Sequence, residues 1–361
     1  MGTSQTGDLP GGGAAEGDLL PDSAEFVPPA FQPHPLLRGG HVQTLAAFLL
    51  PRSVHLPAGQ ERLIEVEPGI PVLCRCYWQK DRQNALTLIA VHGLEGSSES
   101  EYMLGIARNG LLSGMNVVLM NQRNCGGMDH CAPTLYNSSR SPDVAAVAQT
   151  LIAQEGISRF VLVGFSMGGN LVLKLAGEWA GDGPKQFCAV AAVCPAMDPG
   201  ASADALHEPG NRLYEYYFML QLFRRYRRKV KHFPKSFEVS RLRGVTSLRE
   251  FDDRITAHYC GFSDANDYYA RAAASNVVDR IAVPALIIHA ADDPFIRVLP
   301  NTRQKLLSNP NIAFVEPADG GHCAFIGQSN GEYDGRWAER QVVEFAMRFR
   351  ERTPSEPCKR V

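Results

Sequence analysis

The feature that most constrains the fold is a succession of short apolar runs separated by segments long enough for a helix. Four such runs stand at 86–91, 116–120, 160–163 and 188–194. An unbroken apolar run is typical of a strand that is buried on both faces, as in a parallel sheet. The segments between the runs carry apolar residues at helical spacing. The sequence therefore predicts a mostly parallel sheet with helices on both faces.

Further strands extend this sheet towards both ends of the chain. A hairpin is predicted from Leu63 to Trp78, with its turn at Pro68-Gly69, and it gives the sheet an antiparallel start. Two late strands are predicted at 285–289 and 312–315, followed by a closing helix at 336–350. The predicted total is eight strands.

One connection in this scheme is far too long for an ordinary loop, since most loops have about 4–6 residues. It separates the sixth predicted strand from the seventh, and we interpret it as a helical cap over the carboxyl edge of the sheet. The predicted domains are a disordered leader (1–25), a core (26–195 and 282–352), the cap (196–281) and a flexible tail (353–361).

A short glycine-flanked run joins the strand at 160–163 to the helix that follows it. The run Gly164-Phe165-Ser166-Met167-Gly168 fits the G-x-S-x-G nucleophile elbow, in which a serine sits on a strained turn between strand and helix. Small residues are needed two positions away on either side, because larger side chains would collide with the neighbouring strand and helix. Ser166 is therefore predicted to be the nucleophile of an α/β-hydrolase fold.

A serine hydroxyl is a poor nucleophile, so it needs a histidine base and an acid that orients the base. In this fold the three follow the chain order Ser, Asp or Glu, His. Asp292 and Asp293 come directly after the strand at 285–289, and His322 follows the strand at 312–315 in a glycine-rich turn. Asp293 precedes a proline, which favours an extended backbone at that position. The sequence predicts Asp293 as the acid, Asp292 as a structural residue of the turn, and His322 as the base.

Acyl transfer also needs backbone N–H groups that are fixed in advance to receive the developing oxyanion. Met167, next to the nucleophile and at the start of a helix, is predicted to supply one of them. The second is expected from Leu94, in the loop His92-Gly93-Leu94-Glu95-Gly96 after the third strand. A plain glycine-rich turn is the alternative interpretation of that loop.

Composition excludes several other classes of function. The formal net charge of −2 gives no general field for attracting nucleic acid. Neither a histidine pair nor two cysteine pairs stand at zinc-binding spacing, so we expect no metal and no cofactor. No apolar run reaches the roughly 18 residues that a membrane span requires. Nine scattered cysteines, an odd number, favour free thiols and a cytoplasmic setting.

The predicted cap holds two features that suggest a surface role. Its aromatic helix, 213–223, is apolar nearly all round, so part of it is expected to face the substrate cavity as well as the sheet. Truncation of Tyr217 or Phe223 to alanine is then expected to change the preference for acyl chain length, and core packing alone is the alternative interpretation. A basic run, 224–229, follows directly. Nucleic acid or an anionic lipid would suit such a run, but a solvated helix face is favoured. A weak surface contact through the cap is left open, and the oligomeric state is not predicted.

Together these motifs resemble the YheT-like α/β hydrolases, which include bacterial esterases and membrane-anchored eukaryotic lipases. The likeness spans about Phe31 to Arg350, and it is carried by the runs LRGGHVQTL (37–45), HGLEGS (92–97), NQRNCGG (121–127) and DDPF (292–295). The resemblance implies hydrolysis of carboxylic esters, with acylglycerols or short acyl esters as substrates. It assigns the nucleophile to Ser166, the acid to Asp293 and the base to His322. The N-terminal sequence shows no membrane anchor, which favours the esterase side of the family.

Two classes of alternative stay open at this stage. A non-catalytic scaffold on the same fold is the first, although it would have no physical reason to keep serine, acid and histidine together. A thioesterase, an amidase or a cofactor-free perhydrolase is the second, since each would use the same three residues. The acyl chain length and the alcohol depend on the shape of the cavity, which periodicity does not reveal.

Overall fold

The computed structural model describes residues 26–331 and 333–350, and it forms the predicted eight-stranded sheet. The spatial order of the strands is β1-β2-β4-β3-β5-β6-β7-β8. The strands are β1 (Gln60–Glu67), β2 (Ile70–Tyr77), β3 (Thr87–Val91), β4 (Asn116–Met120), β5 (Phe160–Phe165), β6 (Phe187–Val193), β7 (Ala285–Ile288) and β8 (Ile312–Val315). The β1–β2 and β2–β4 pairs are antiparallel, and the other pairs are parallel. The predicted α/β-hydrolase fold is confirmed.

Helices cover both faces of the sheet. The helices of the core are α1 (Gly40–Leu49), α2 (Glu101–Leu112), α3 (Ser141–Glu155), α4 (Met167–Trp179), α10 (Pro300–Ser308) and α11 (Trp337–Met347). Apolar residues of α3, α4 and α10 form one buried cluster with one face of the strands, while α2 and α11 form another with the opposite face. Every residue of β3 to β7 is buried, which explains why these strands are apolar without alternation.

Five helices lie between β6 and β7, in the segment for which a cap is predicted. They are α5 (Pro199–Leu206), α6 (Arg212–His232), α7 (Leu248–Phe251), α8 (His258–Cys260) and α9 (Ala265–Ala272), with a π-helical turn at Asp252–Ala257 and short 3₁₀ turns at Pro209–Asn211, Val239–Leu242, Ala274–Asn276 and Val278–Arg280. Met219, Leu222 and Tyr226 of α6 pack with Phe251 and Ile255 in a small core of their own. We call residues 196–281 the inserted segment.

Three helices differ from the sequence-based expectation. No helix was assigned at the positions of α1 and α10, and α6 runs to His232, past the predicted range of 213–223. The predicted leader (1–25) and tail (353–361) lie outside the described residues, as do the last two residues assigned to the core. Within 26–331 and 333–350, none of the helices is both long enough and apolar enough to span a membrane.

Candidate active site

The predicted elbow places Ser166 between β5 and α4 in a strained backbone conformation. Ser166 has a φ of 54°, a region that L-residues other than glycine seldom adopt. The flanking glycines are required by close approach. A Cβ atom on Gly164 would lie 2.3 Å from the Gly168 carbonyl oxygen, and one on Gly168 would lie 2.2 Å from that of Val91. The turn therefore presents the hydroxyl of Ser166 at the carboxyl edge of the sheet.

The structure brings the three predicted side chains together in one hydrogen-bonded chain. The Ser166 Oγ lies 3.0 Å from Nε2 of His322, and Nδ1 of His322 lies 2.8 Å from Oδ2 of Asp293. The three residues follow β5, β8 and β7, whose carboxyl ends meet at the same edge of the parallel sheet. With Nδ1–H donating to Asp293, Nε2 is free to accept the proton of the serine hydroxyl.

Within the hydrogen-bonded chain, electrostatics favour charged His322 and Asp293 side chains over neutral ones. Asp293 is buried, which raises the pKa of its carboxyl, but attraction to His322, the hydrogen bond to it, and the smaller contributions of His289 and the Ile296 N–H together hold that pKa below its usual value. Burial lowers the pKa of His322, but attraction and hydrogen bonding to Asp293, with a smaller contribution from Cys194, outweigh it, so this pKa is raised. The second oxygen of Asp293 accepts the N–H groups of Phe295 and Ile296 at 3.1 and 2.9 Å. These bonds fix the orientation of the carboxylate.

Asp292 bonds to the backbone of the loop that carries the histidine. Its Oδ1 accepts the N–H of Gly321 at 2.9 Å. Its Oδ2 is buried and has no hydrogen-bond partner among the described residues. The two adjacent aspartates thus face different partners, as the sequence analysis expected of them.

Helix α1 holds the histidine loop in place, a role that sequence reasoning did not assign. The N–H of His322 donates to Oγ1 of Thr44 at 2.8 Å, and Gln43 bonds to both the N–H and the C=O of Ile326. A Cβ atom on Gly40 would lie 1.8 Å from the backbone oxygen of Asp292. The run LRGGHVQTL, which carried much of the family resemblance, was the signal available for this role.

The loop after β3 lies beside the nucleophile, as predicted. Among the described residues, neither the Leu94 N–H nor the Met167 N–H has a hydrogen-bond partner. His92 shapes the loop: its Nδ1–H donates to the Gly93 carbonyl at 2.8 Å, and its Nε2 accepts from the Gln122 N–H at 3.1 Å. Burial, which outweighs the hydrogen bond to Gly93, lowers the pKa of His92 to about 4. His92 is therefore a neutral structural residue at neutral pH.

A cavity of about 120 Å³ adjoins Ser166 and lies between the core and the inserted segment. Phe218 and Leu222 of α6 belong to its wall, together with Phe295. Tyr217 and Phe223, whose truncation is expected to change the chain-length preference, are not part of the wall, whereas their neighbours Phe218 and Leu222 are. The remaining lining is largely apolar and includes Leu94, Leu135, Tyr136, Met167, Ala196, Pro199, Ala203, Leu206, Tyr226, Leu248, Phe251, Tyr268, Tyr269 and Ile296.

Comparison with known proteins decides the family. A family model described as the alpha/beta hydrolase fold matches residues 87–328, which is more than half of the chain. The chain belongs to the α/β-hydrolase family. YheT of Escherichia coli (strain K12), named as a candidate esterase, is 30% identical over 336 residues, covering 91% of this chain and 95% of the relative. The monoacylglycerol lipase ABHD2 of Homo sapiens is 26% identical over 349 residues. This match covers 89% of this chain and 79% of the relative.

These relatives confirm the predicted resemblance to the YheT-like group and the predicted class of enzyme, an ester hydrolase. Among solved structures, an esterase of Pyrococcus furiosus superimposes with a TM-score of 0.50 at 19% sequence identity. That match covers 83% of this chain and 97% of the other. At such an identity the likeness shows the fold alone.

Part of the basic run of this α/β hydrolase turns inward, contrary to the expected solvated face. The Nε of Arg225 lies 2.9 Å from Oε1 of Glu95, beside Leu94, and its Nη1 donates to the Asn124 carbonyl at 2.6 Å. Lys229 is buried, and its Nζ lies 2.6 Å from Oδ1 of Asn124. These bonds fasten α6 to the loops beside the nucleophile.

Two groups of thiol, imidazole and carboxylate side chains of this α/β hydrolase also lie close together. Ligand atoms of Cys194, His322 and Cys323 fall within 4.8 Å of one another, and so do those of Cys194, His289 and Asp293. Both groups include a member of the Ser166–His322–Asp293 chain. The ring nitrogens of His322 and Oδ2 of Asp293 are already engaged there, so a metal ion in either group would compete with that chain for its ligands.

Proposed function

We propose that this protein is a serine carboxylic-ester hydrolase that works through an acyl-enzyme on Ser166. The observation that carries the proposal is the hydrogen-bonded chain from Ser166 through His322 to Asp293. Such a chain activates a hydroxyl that would otherwise be a weak nucleophile. In this proposal His322 is the general base, and Asp293 fixes its orientation and stabilises its charged form.

The first half-reaction transfers the acyl group to the enzyme. Nε2 of His322 takes the proton from Ser166 as Oγ attacks the ester carbonyl carbon. When the tetrahedral intermediate collapses, the bond to the alcohol oxygen breaks, and His322 returns the proton to the departing alcohol. Water then attacks the acyl-enzyme with the same assistance, and the acid leaves while Ser166 regains its proton.

The negative charge of the tetrahedral intermediate needs donors that are already in position. The unpartnered N–H groups of Leu94 and Met167 support these two residues as the oxyanion hole. Met167 is the first residue of α4, so its N–H lies at the positive end of the helix dipole. Donors fixed in advance do not have to reorganise during the reaction.

The cavity supports an apolar acyl group as the part of the substrate that is recognised. Its wall is formed mainly by aliphatic and aromatic side chains, and apolar surface of a substrate gains free energy when it leaves water. We therefore propose short acyl esters or acylglycerols as substrates, with the inserted segment acting as a cap that selects among them. The eight described cysteines, all free thiols, support a cytoplasmic setting.

The proposal is tested by labelling the protein with a fluorophosphonate, which reacts with histidine-activated serines. We expect one labelled residue, Ser166, and no labelling of the Ser166→Ala variant. Hydrolysis of p-nitrophenyl esters of increasing chain length by the same two proteins gives the second readout. Labelling or ester hydrolysis that survives Ser166→Ala would contradict the assignment, and a protein that shows neither activity would be a scaffold.

A further inference from the structure

Large apolar side chains are exposed on one part of the surface, where α1 and α6 lie side by side. Of the fifteen exposed large hydrophobic residues among those described, six belong to these two helices and a seventh directly follows α1. They are Val42, Phe48, Leu49 and Leu50, at or just after α1, and Leu213, Tyr216 and Tyr217 on α6. Phe48 and Tyr217 touch, with ring centroids 5.0 Å apart. We call these seven residues the α1–α6 face.

The apolar part of α6 continues along the helix as a basic stripe. Leu213, Tyr216 and Tyr217 occupy the first turns, and Arg224, Arg227 and Lys231 follow on the same exposed side, because residues three or four apart share a face of a helix. The only acidic residue of α6, Glu215, is buried and bonds to His207, and α1 has no charged residue. The exposed side of α6 thus combines aromatic rings with positive charge and carries no acidic group.

Ring contacts connect the α1–α6 face to the active site. Tyr217 contacts Phe218, whose ring lies 6.1 Å from that of Phe295 between centroids. Phe295 in turn lies 4.5 Å from the ring of His322. Phe218 and Phe295 both line the cavity beside Ser166. An apolar molecule held at the α1–α6 face would therefore be next to the wall of the cavity.

We propose that the α1–α6 face and the basic stripe of α6 dock the protein onto an anionic lipid surface. Helices with an aromatic and aliphatic side and basic residues bind in the interface of a bilayer, where apolar side chains enter the acyl boundary and cations meet the headgroups. Tyrosine suits this boundary because its ring is apolar and its hydroxyl is polar. The supply of ester lipids to Ser166 rests on the proposed function. The docking itself does not depend on it.

Charge complementarity favours a lipid surface over a second copy of this chain. In a symmetric dimer through the same face, the basic stripes of two copies would approach each other with no acidic side chain on α1 or on the exposed side of α6 to neutralise them. Like charges brought together in this way oppose association. Anionic headgroups supply the neutralising charge, and a docked lipid layer covers the apolar side chains at the same time.

The docking is tested by flotation of the full chain with vesicles, using Ser166→Ala as the reference protein so that no lipid is hydrolysed. The vesicles are phosphatidylcholine alone, or phosphatidylcholine mixed with phosphatidylserine. The apolar variant is Leu213→Ser with Tyr216→Ser, and the basic variant is Arg224→Ser with Arg227→Ser. The matched controls are Leu112→Ser and Arg280→Ser, which change an exposed leucine and an exposed arginine at the opposite edge of the sheet.

We expect the reference protein to float with the mixed vesicles and much less with phosphatidylcholine alone. The basic variant should bind about 25-fold more weakly, since each cation near an anionic surface contributes about five-fold. The apolar variant should lose on the order of ten-fold. Both controls should bind like the reference, and thermal melts show whether each variant is folded.

Three outcomes would overturn the docking proposal. They are equal flotation of the reference and both variants, equal affinity for the two kinds of vesicle, and a dimer in sedimentation that the apolar variant abolishes. None of these depends on catalysis. Fluorophosphonate labelling of the unmodified protein in the absence of lipid shows separately whether the proposed esterase function holds.

Discussion

The adjacent aspartates allow a sharp test of the catalytic assignment, because the same chemical change can be made one residue apart. Asp293→Asn and Asp292→Asn each replace one carboxylate oxygen by an NH₂ group without changing the size of the side chain. Their environments predict very different consequences. Oδ2 of Asp293 accepts from His322, whereas Oδ1 of Asp292 accepts from the backbone of Gly321.

At position 293 neither orientation of the new amide is acceptable. If its oxygen faces His322, its NH₂ group faces the N–H groups of Phe295 and Ile296, which are also donors. If it is flipped, the NH₂ group faces Nδ1, which must then lose its proton to Nε2. A histidine protonated at Nε2 cannot accept the proton of Ser166. Loss of the orienting carboxylate with this change of tautomer costs about 10⁴ in kcat in a well-studied triad, or about 5.4 kcal/mol of transition-state stabilisation.

At position 292 the amide is tolerated. Its oxygen can keep the bond from the Gly321 N–H, and its NH₂ group replaces the oxygen that has no partner among the described residues. We expect Asp292→Asn to lose less than about ten-fold.

The assay is kcat/KM for p-nitrophenyl butyrate, with circular dichroism melts to show that both variants are folded. Equal losses in two folded variants, or a larger loss for Asp292→Asn, would refute the assignment of Asp293.

Three further predictions follow from the same geometry. Because Asp293 raises the pKa of His322 against the lowering by burial, kcat/KM should fall as pH drops through that raised pKa. In Asp293→Asn only the smaller contribution of Cys194 still opposes burial, so the acid limb should move to lower pH, and an unmoved limb would contradict this coupling. Phe218→Ala enlarges the cavity and should shift the chain-length profile of p-nitrophenyl esters towards longer acyl groups, whereas Tyr217→Ala, outside the wall, should not. Arg123→Ala leaves the buried carboxylate of Asp143 without the guanidinium that lies 2.6 Å away, so urea unfolding should show a loss of about 3–5 kcal/mol, against under about 1 kcal/mol for the exposed Arg271→Ala.

The strands could be predicted from the sequence because each central strand is buried on both faces and is therefore an unbroken apolar run. Helix α1 could not be predicted, since its buried residues are Gly40, Gln43 and Ala46 while Phe48 and Leu49 are exposed. That arrangement is the inverse of the amphipathic pattern on which helix prediction depends. Helix α10 is short and buries only Thr302 and Leu306, so it also lacks an apolar stripe.

Ser166, Asp293 and His322 could be located because the fold fixes their order and places each after a strand. The wall of the cavity could not be located in the same way. Helix α6 is apolar nearly all round between 213 and 223, so periodicity does not show which side meets the substrate and which side meets solvent. Packing against Phe295 turns Phe218 towards the cavity and leaves Tyr217 at the surface.

The basic run shows how a single stretch of like charges can serve two purposes. A helix rotates about 100° per residue, so Arg225 and Lys229, four apart, face the core, while Arg224 and Arg227 face solvent. The inward partners, Glu95 and Asn124, lie 130 and 105 residues earlier in the chain, and no local pattern indicates them. Glu95 is next to Leu94, and Arg225 of α6 bonds to Glu95. A displacement of α6 is therefore transmitted to the loop proposed to hold the oxyanion. The exposed side of this helix is therefore linked through Arg225 and Glu95 to the loop beside Ser166.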